Sequence, residues 1–348
     1  MGEEDTAEAF RWPDVLSSLV AGQDLQRSEA EQVVANMLSG RATDAQIGAF
    51  LLGMAAKGET TAEILGMRDA MFEASLPLDL PANTVDIVGV GGAPRRQVAA
   101  FNVSTLASFV AASAGATVCK HGNRKASSTS GSFDLLEALG VNIEASPDVV
   151  AGGVAKIGLG FAFARAHHPS MRFVGPARAQ LGVPSVFNVL GPLAHPGRLK
   201  RQVLGVSNPA WATQIADVVA DAGAELIWVV HGHDDLDELA LTGPTRVIEI
   251  REGEQRPFVL DPTELGFALV AEDAIKGGDA SVNKVLTEEI FSGARSANRD
   301  MVVLNAAAGL VVGGVVDTLS EAVEAANAAI DDGRAANKLD DLVRHTNL

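Results

Sequence analysis

The residues best suited to chemistry sit in "CKHGNRKASSTSGS", residues 119–132, where Lys120, His121, Arg124 and Lys125 accompany a run of hydroxyl side chains. From Ile87 to Ser132 there is no Asp or Glu, although the 348-residue chain holds 44 acids against 27 Lys and Arg, a formal charge of −17. A cationic stretch in so acidic a chain reads as a site for a small anion. Ammonium groups, hydroxyls and the amides of helix N-termini all complement phosphate oxygens. Net acidity argues against a general nucleic-acid binder, which needs a basic footprint to release backbone counterions.

Three other stretches join this one. "VDIVGVGGA" reads as a strand followed by Gly89, Gly91 and Gly92, where missing side chains let backbone N–H groups approach a phosphate; an ordinary tight turn fits the same glycines. A dinucleotide fold is disfavoured, because the third glycine of its motif is lost near Pro94 and no acid follows at the ribose-binding distance. A Walker loop is excluded by the missing Gly-Lys-Ser/Thr. In "FNVST", Asn102, Ser104 and Thr105 open a helix, and Lys120 ends a strand. Singly these hydroxyls are helix caps; together, with no acid nearby, they form a phosphate site. In "HGHDDLDELAL", Asp237 and Glu238 follow a buried strand and suit Mg²⁺, which takes one or two carboxylates and completes its shell with water and phosphates. A solvated acidic turn stays open there, and the anion site on the same sheet edge favours the metal.

A fourth stretch, "ARAHHPSMRFVGPARAQLGVPSVFNVLGPLAHP", sets His167, His168 and Arg178 among apolar residues and prolines. It suits an aromatic carboxylate, with Arg178 as bidentate partner and Met171 and Pro192 as apolar walls. A structural histidine and a surface arginine fit equally well.

The elements that must position these residues follow from periodicity. Ser28 and Glu31 form a capping-box pattern ahead of Val33, Val34, Met37 and Leu38; a second helix starts near Asp44 with Ile47, Phe50, Leu51 and Met54 on one stripe. Gly58 stops it, Thr60 or Thr61 restarts a helix carrying Ile64, Met67 and Met71, and "LPLDLPAN" is a proline-punctuated linker. Residues 1–80 therefore read as a small helical domain, joined by helices around 169–190, and residues 81–348 as an α/β domain. In the latter, "VDIVG", "ATVCK", "GFAFA", "QVLGV" and "LIWVVHG" alternate with helical stretches such as "LASFVAASAG" and "ATQIADVVADAG". That alternation predicts βαβ units, a mostly parallel sheet flanked by helices, and ligands beyond the carboxyl ends of the strands.

A hydrophobic content of 47% supports a full core. The single cysteine, Cys119, gives no internal disulfide and no zinc cluster, so a reducing cytoplasm is expected. The N-terminus lacks the pattern of a secretory signal, and the longest apolar run, "MVVLNAAAGLVVGGVV", is too short and too polar to span a bilayer, so no membrane partner is expected.

"KHGNR", "SSTSGS", "HHPSM", "FNVLGPL", "LDEL" and "LNAAAGL" occur in the order found in the anthranilate phosphoribosyltransferase family, and "KGETTAEILGMRDAM" resembles that family's helical domain. The resemblance runs from about residue 15 to the end. It implies an architecture like that of nucleoside phosphorylases and phosphoribosyltransferases, a homodimer formed through the helical domain, and Mg²⁺-dependent transfer of phosphoribosyl from phosphoribosyl pyrophosphate to anthranilate in tryptophan biosynthesis. Carried over residue by residue, it implies that Gly89, Gly92, Asn102, Ser104, Thr105, Lys120, His121, Gly122, Asn123, Arg124, Ser127, Ser128 and Ser132 bind phosphoribosyl pyrophosphate. Gly89, Asn123, His168, Met171, Arg178, Gly191 and Pro192 would serve anthranilate, and Ser104, Asp237 and Glu238 the metal. Catalytic roles would fall to Lys120, Asn123 and Arg178.

The chain also departs from the family. Gly-Thr-Gly-Gly-Asp becomes Gly89-Val90-Gly91-Gly92-Ala93, a threonine becomes Ala100, the lysine of Ser-Ser-Lys-Ser becomes Thr129, and "GPLAHP" replaces Gly-Pro-Leu-Thr-Asn-Pro. These changes keep two alternatives open: a relative with an altered acceptor, or a noncatalytic binder of a phosphorylated ligand. A nucleoside phosphorylase ranks lower, since it has no use for the acid pair and Arg178.

Overall fold

The computed structural model describes residues 10–91, 101–125 and 129–348. The chain forms two compact units, one from Met1–Ser75 with His168–Leu190, the other from Leu76–His167 with Gly191–Leu348.

The first unit is built on the helices Trp12–Val20, Arg27–Leu38, Asp44–Lys57 and Thr61–Glu73. Ile47, Phe50, Leu51 and Met54 are buried along one stripe, as their spacing requires. Thr43 caps Gln46 and Thr60 caps Glu63 through reciprocal bonds. The capping residues of Arg27–Leu38 differ from the expected Ser28 and Glu31: Glu29 accepts from the Gln26 amide at 2.7 Å. The helix begins early because Leu25 is buried and its amide donates to Glu63 Oε1 at 2.7 Å. Glu63 is itself buried, and its other oxygen accepts from Lys57 Nζ at 2.9 Å and the Thr60 amide at 2.8 Å.

The second unit is an α/β sandwich. Its strands are β1 (Val85–Gly89), β2 (Val118–Gly122), β3 (Leu159–Phe163), β4 (Arg201–Gly205), β5 (Leu226–His231), β6 (Thr245–Arg251) and β7 (Glu254–Leu260). They form one sheet in the order β3-β2-β1-β4-β5-β6-β7. The five strands read from the sequence are parallel; β6 and β7 add an antiparallel hairpin. β2 runs two residues past Lys120, to Gly122. The helices Val103–Ser113 and Ala297–Val312 are buried almost all round, which explains why apolar and small residues fill most of their positions rather than one stripe. Among the described residues no helix is long and apolar enough to cross a membrane.

Candidate active site

In the strand order, successive crossovers leave β1 in opposite directions, so the β1/β4 boundary is the topological switch point where ligands of such sheets bind. The two strands end on a paired Gly89 and Gly205. Above this pair runs the loop carrying Asp237 and Glu238. Asp237 Oδ2 accepts from the Gly91 amide at 2.8 Å, and the Val90 amide donates to the Gly205 carbonyl at 2.9 Å. A Cβ on Gly205 would lie 1.7 Å from the Asp237 carbonyl oxygen, and one on Gly89 would lie 2.4 Å from Asp237 Oδ2. Both glycines are therefore required by the close approach of the acid loop. Asn305, in the late "LNAAAGL" motif, fixes that loop: it accepts from the Leu239 amide and donates to the Leu239 carbonyl, both at 3.0 Å.

Lys120 reaches across the sheet from β2, is 3% exposed, and donates to the Ile87 carbonyl at 2.6 Å. Among the described residues it forms no ion pair within 4 Å, so this buried ammonium is held by a carbonyl rather than by a carboxylate in direct contact. Burial lowers its pKa, while Asp86, Glu238 and Asp237 act in the other direction.

Asp86, on β1, was not read from the sequence and is fully buried. Its Oδ1 accepts from the His121 amide at 3.3 Å. His121 Nδ1 donates to the Gly191 carbonyl at 3.1 Å, and Gln202, in register with Asp86, donates to the Pro192 carbonyl at 3.1 Å. Gly191 and Pro192 are thus held through backbone carbonyls by groups lying beside Asp86. His195, in the altered "GPLAHP", accepts from the Gly197 amide at Nδ1 and donates from Nε2 to the Cys119 carbonyl, each at 2.9 Å.

Burial pushes the Asp86 carboxyl up to about 7 from an ordinary 3.8, against the pull of the Lys120 ammonium and the His121 amide. A raised carboxyl holds its proton in the folded state after the unfolded chain has released it. The associated stability is full below the unfolded value and is lost as pH rises toward 7. Urea titrations are expected to show wild type losing stability relative to Asp86→Asn between about pH 4 and 7, with at most a one-proton slope, and no further divergence above 7. Parallel profiles would contradict a buried, titrating Asp86.

Asn102 precedes the helix Val103–Ser113 and Ser104 lies in its first turn, half-buried; Thr105 is buried, and its Oγ1 has no hydrogen-bond partner among the described residues. On the cationic loop, the Asn123 carbonyl accepts from Ser132 Oγ at 3.2 Å, and Asn123 is exposed. Gly122 ends β2. Arg124 turns to the helix Ser132–Ala138, bonding Glu137 at 2.8 Å and Asp134 at 3.3 Å. The Glu137 bond raises its pKa and lowers that of Glu137; Asp134 is lowered, against its burial, by the Lys125 and Gly131 amides and then by Arg124. The Arg124 charge is therefore met by carboxylates of its own loop and helix. Gly92, Ser127 and Ser128, and the altered positions Ala93 and Ala100, lie outside the described residues.

In the first unit, His168 is buried and its carbonyl accepts from the Met171 amide at 3.0 Å. Arg178 sits in the helix Gly175–Leu181, donates to Asn188 Oδ1 at 3.2 Å and lies 5.4 Å from the Phe187 ring centroid. Among the described residues it pairs with no carboxylate, and burial lowers its pKa. In the second unit, His167 donates from Nδ1 to the Leu76 carbonyl at 3.1 Å, a structural role.

The chain is similar to known proteins along nearly its whole length. Residues 81–336 match the family model described as glycosyl transferase family, a/b domain, and residues 13–75 match its helical bundle domain. An anthranilate phosphoribosyltransferase of Agrobacterium fabrum is 44% identical over 333 residues, covering 96% of each chain. The crystal structure of the Thermus thermophilus anthranilate phosphoribosyltransferase superposes with a TM-score of 0.90 at 38% identity, covering 96% of this chain and 100% of that one. The Saccharomyces cerevisiae anthranilate phosphoribosyltransferase in complex with PRPP and Mg gives 0.88 at 25% identity, covering 97% and 98%.

Proposed function

Since the chain belongs to the anthranilate phosphoribosyltransferase family of glycosyl transferases, we propose that it transfers the phosphoribosyl group of phosphoribosyl pyrophosphate to the amine of anthranilate, releasing pyrophosphate. The observation that carries the reading is Lys120: a buried ammonium with no ion-pair partner among the described residues, two residues before the carboxyl end of β2 in a parallel sheet and in an acid-free segment. Such a group is stabilised by an arriving polyanion.

In this reading Lys120 meets charge that develops on the departing pyrophosphate, where a preorganised cation in a dry site is most effective. Ser104, Thr105 and the N-terminus of the helix Val103–Ser113 receive phosphate and ribose oxygens. Asn102, His121, Gly122, Asn123 and Ser132 shape the surrounding turn. An aromatic amine is largely unprotonated at neutral pH, so its attack on the ribose needs alignment more than a general base.

The donor set fits magnesium. Asp237 and Glu238 supply hard carboxylate oxygens, Ser104 a hydroxyl, and the Gly91 amide already orients Asp237. When bound, Mg²⁺ neutralises the diphosphate and makes it a better leaving group. Release of pyrophosphate that requires anthranilate tests the reading; release without anthranilate would make the protein a hydrolase of the donor.

Arg178 is assigned to the anthranilate carboxylate, and His168 and Met171 of the same unit to its ring. The lack of an acid partner for Arg178 supports this. Arg178→Ala is expected to raise the KM for anthranilate by about 10- to 100-fold with the KM for phosphoribosyl pyrophosphate little changed, since a buried carboxylate loses its charge partner. Equal weakening of both would point to misfolding. Pairing of two copies through the helical unit belongs to the same reading, supported by exposed Val20 and Leu52; light scattering should return twice the chain mass, and a single-chain mass would refute it. A cytoplasmic location completes it.

A further inference from the structure

A closed ring of hydrogen bonds links three segments far apart in sequence. Asn283, on the first turn of the helix Ala280–Phe291, is fully buried. Its Oδ1 accepts from the Gly278 amide at 2.9 Å, and its Nδ2 donates to Asn102 Oδ1 at 2.8 Å and to the Gly278 carbonyl at 3.3 Å. Asn102 Oδ1 also accepts from Ser130 Oγ at 3.1 Å, and Asn102 Nδ2 donates to the Ser130 carbonyl at 3.3 Å. Thr129 Oγ1 closes the ring on the Gly278 carbonyl at 3.1 Å. Both polar atoms of the Asn102 side chain are therefore engaged within the protein.

We infer that Asn283 is a positioning residue of the phosphate site: with Gly278 it pins the Thr129–Ser130 exit of the cationic loop against Asn102 at the N-terminus of the helix Val103–Ser113. That tie fixes the Asn102 side chain, whose two polar atoms in turn hold Ser130, and so sets the geometry in which the loop and the helix start, each assigned to phosphate oxygens, meet. A buried amide with every hydrogen bond made in one geometry specifies a single arrangement, and a partner left unsatisfied there disrupts it strongly. The inference rests on the phosphoribosyl pyrophosphate reading for its kinetic consequence, but the tether itself can be tested without turnover.

Asn283→Asp in the full-length protein keeps the acceptor for the Gly278 amide and replaces the N–H facing Asn102 with an oxygen. At saturating anthranilate, the KM for phosphoribosyl pyrophosphate is expected to rise about tenfold or more, with the KM for anthranilate within about twofold of wild type, for loss of one to two buried hydrogen bonds. Amide hydrogen exchange in a peptide spanning residues 129–136 should quicken in the ligand-free protein. Thr287→Val separates this from plain destabilisation: it removes a buried hydroxyl on the same helix, bonded to the Asn283 carbonyl at 2.7 Å, without touching the tether. It should lower Tm and leave both KM values and the exchange unchanged. If Asn283→Asp does not fold, Thr129→Val at a half-buried position cuts the second tie and should act in the same direction, more weakly. Unchanged exchange and KM in the tether variants, or equal changes in Thr287→Val, would overturn the inference. An inactive wild type would sink the functional reading while the exchange measurement still decides the tether.

Discussion

Alanine in place of Lys120 is expected to lower kcat/KM by on the order of 100- to 1000-fold, the loss typical when one preorganised charge is removed from a developing anion. The fall should come with a small change in Tm. Removing one member of a buried charged pair is ordinarily costly because the other stays ionised without a partner. Here the acid that acts most strongly on the ammonium is Asp86, whose carboxyl is pushed up to about 7. Once the ammonium is gone, Asp86 takes up a proton and the site becomes neutral. Steady-state kinetics beside thermal unfolding separates the outcomes: near-normal kcat/KM would remove Lys120 from the chemistry, and collapse of both quantities would make it a structural cation.

Gly205→Ala is expected to cost about 100-fold in activity, the scale of an ångström-sized misplacement of a reacting constellation. The added Cβ would sit 1.7 Å from the Asp237 carbonyl oxygen, far inside van der Waals contact, and that neighbour is backbone. The loop must therefore move, and Asp237 and Glu238 move with it. Asn305 anchors the loop at Leu239, so the shift concentrates on the acid pair. A raised Mg²⁺ requirement should accompany the loss. Wild-type activity at the wild-type Mg²⁺ optimum would show that the acid pair has no part in the reaction.

Much of the fold was legible because its signals are local. The five parallel strands are short apolar runs set between alanine-rich helices, and Thr43 and Thr60 announce helix starts through their own side chains. The β6–β7 hairpin was missed although its turn, Glu252-Gly253, has both residues at positive φ, 51° and 84°, and joins two strands in register. The start at Gln26 was missed because Leu25 and buried Glu63, 38 residues on, set it.

The same divide holds at the site. Lys120, Ser104, Asp237 and Glu238 stand out by charge or by position after a strand. Gly89 was legible as a glycine, while the reason for it, the approach of Asp237, comes from another part of the chain. Asp86, Gln202, Asn283 and Asn305 carry no local signal. Each is a polar residue in an apolar or helical stretch with a partner on another element: His121 for Asp86, Pro192 for Gln202, Asn102 for Asn283 and Leu239 for Asn305.

The most direct measurement is the fluorescence of anthranilate mixed with the purified protein, phosphoribosyl pyrophosphate and Mg²⁺. An enzyme-dependent loss of anthranilate fluorescence is expected that requires phosphoribosyl pyrophosphate, is abolished by chelating the metal, and falls steeply in Lys120→Ala. Unchanged fluorescence across a wide range of donor and Mg²⁺ concentrations would contradict it.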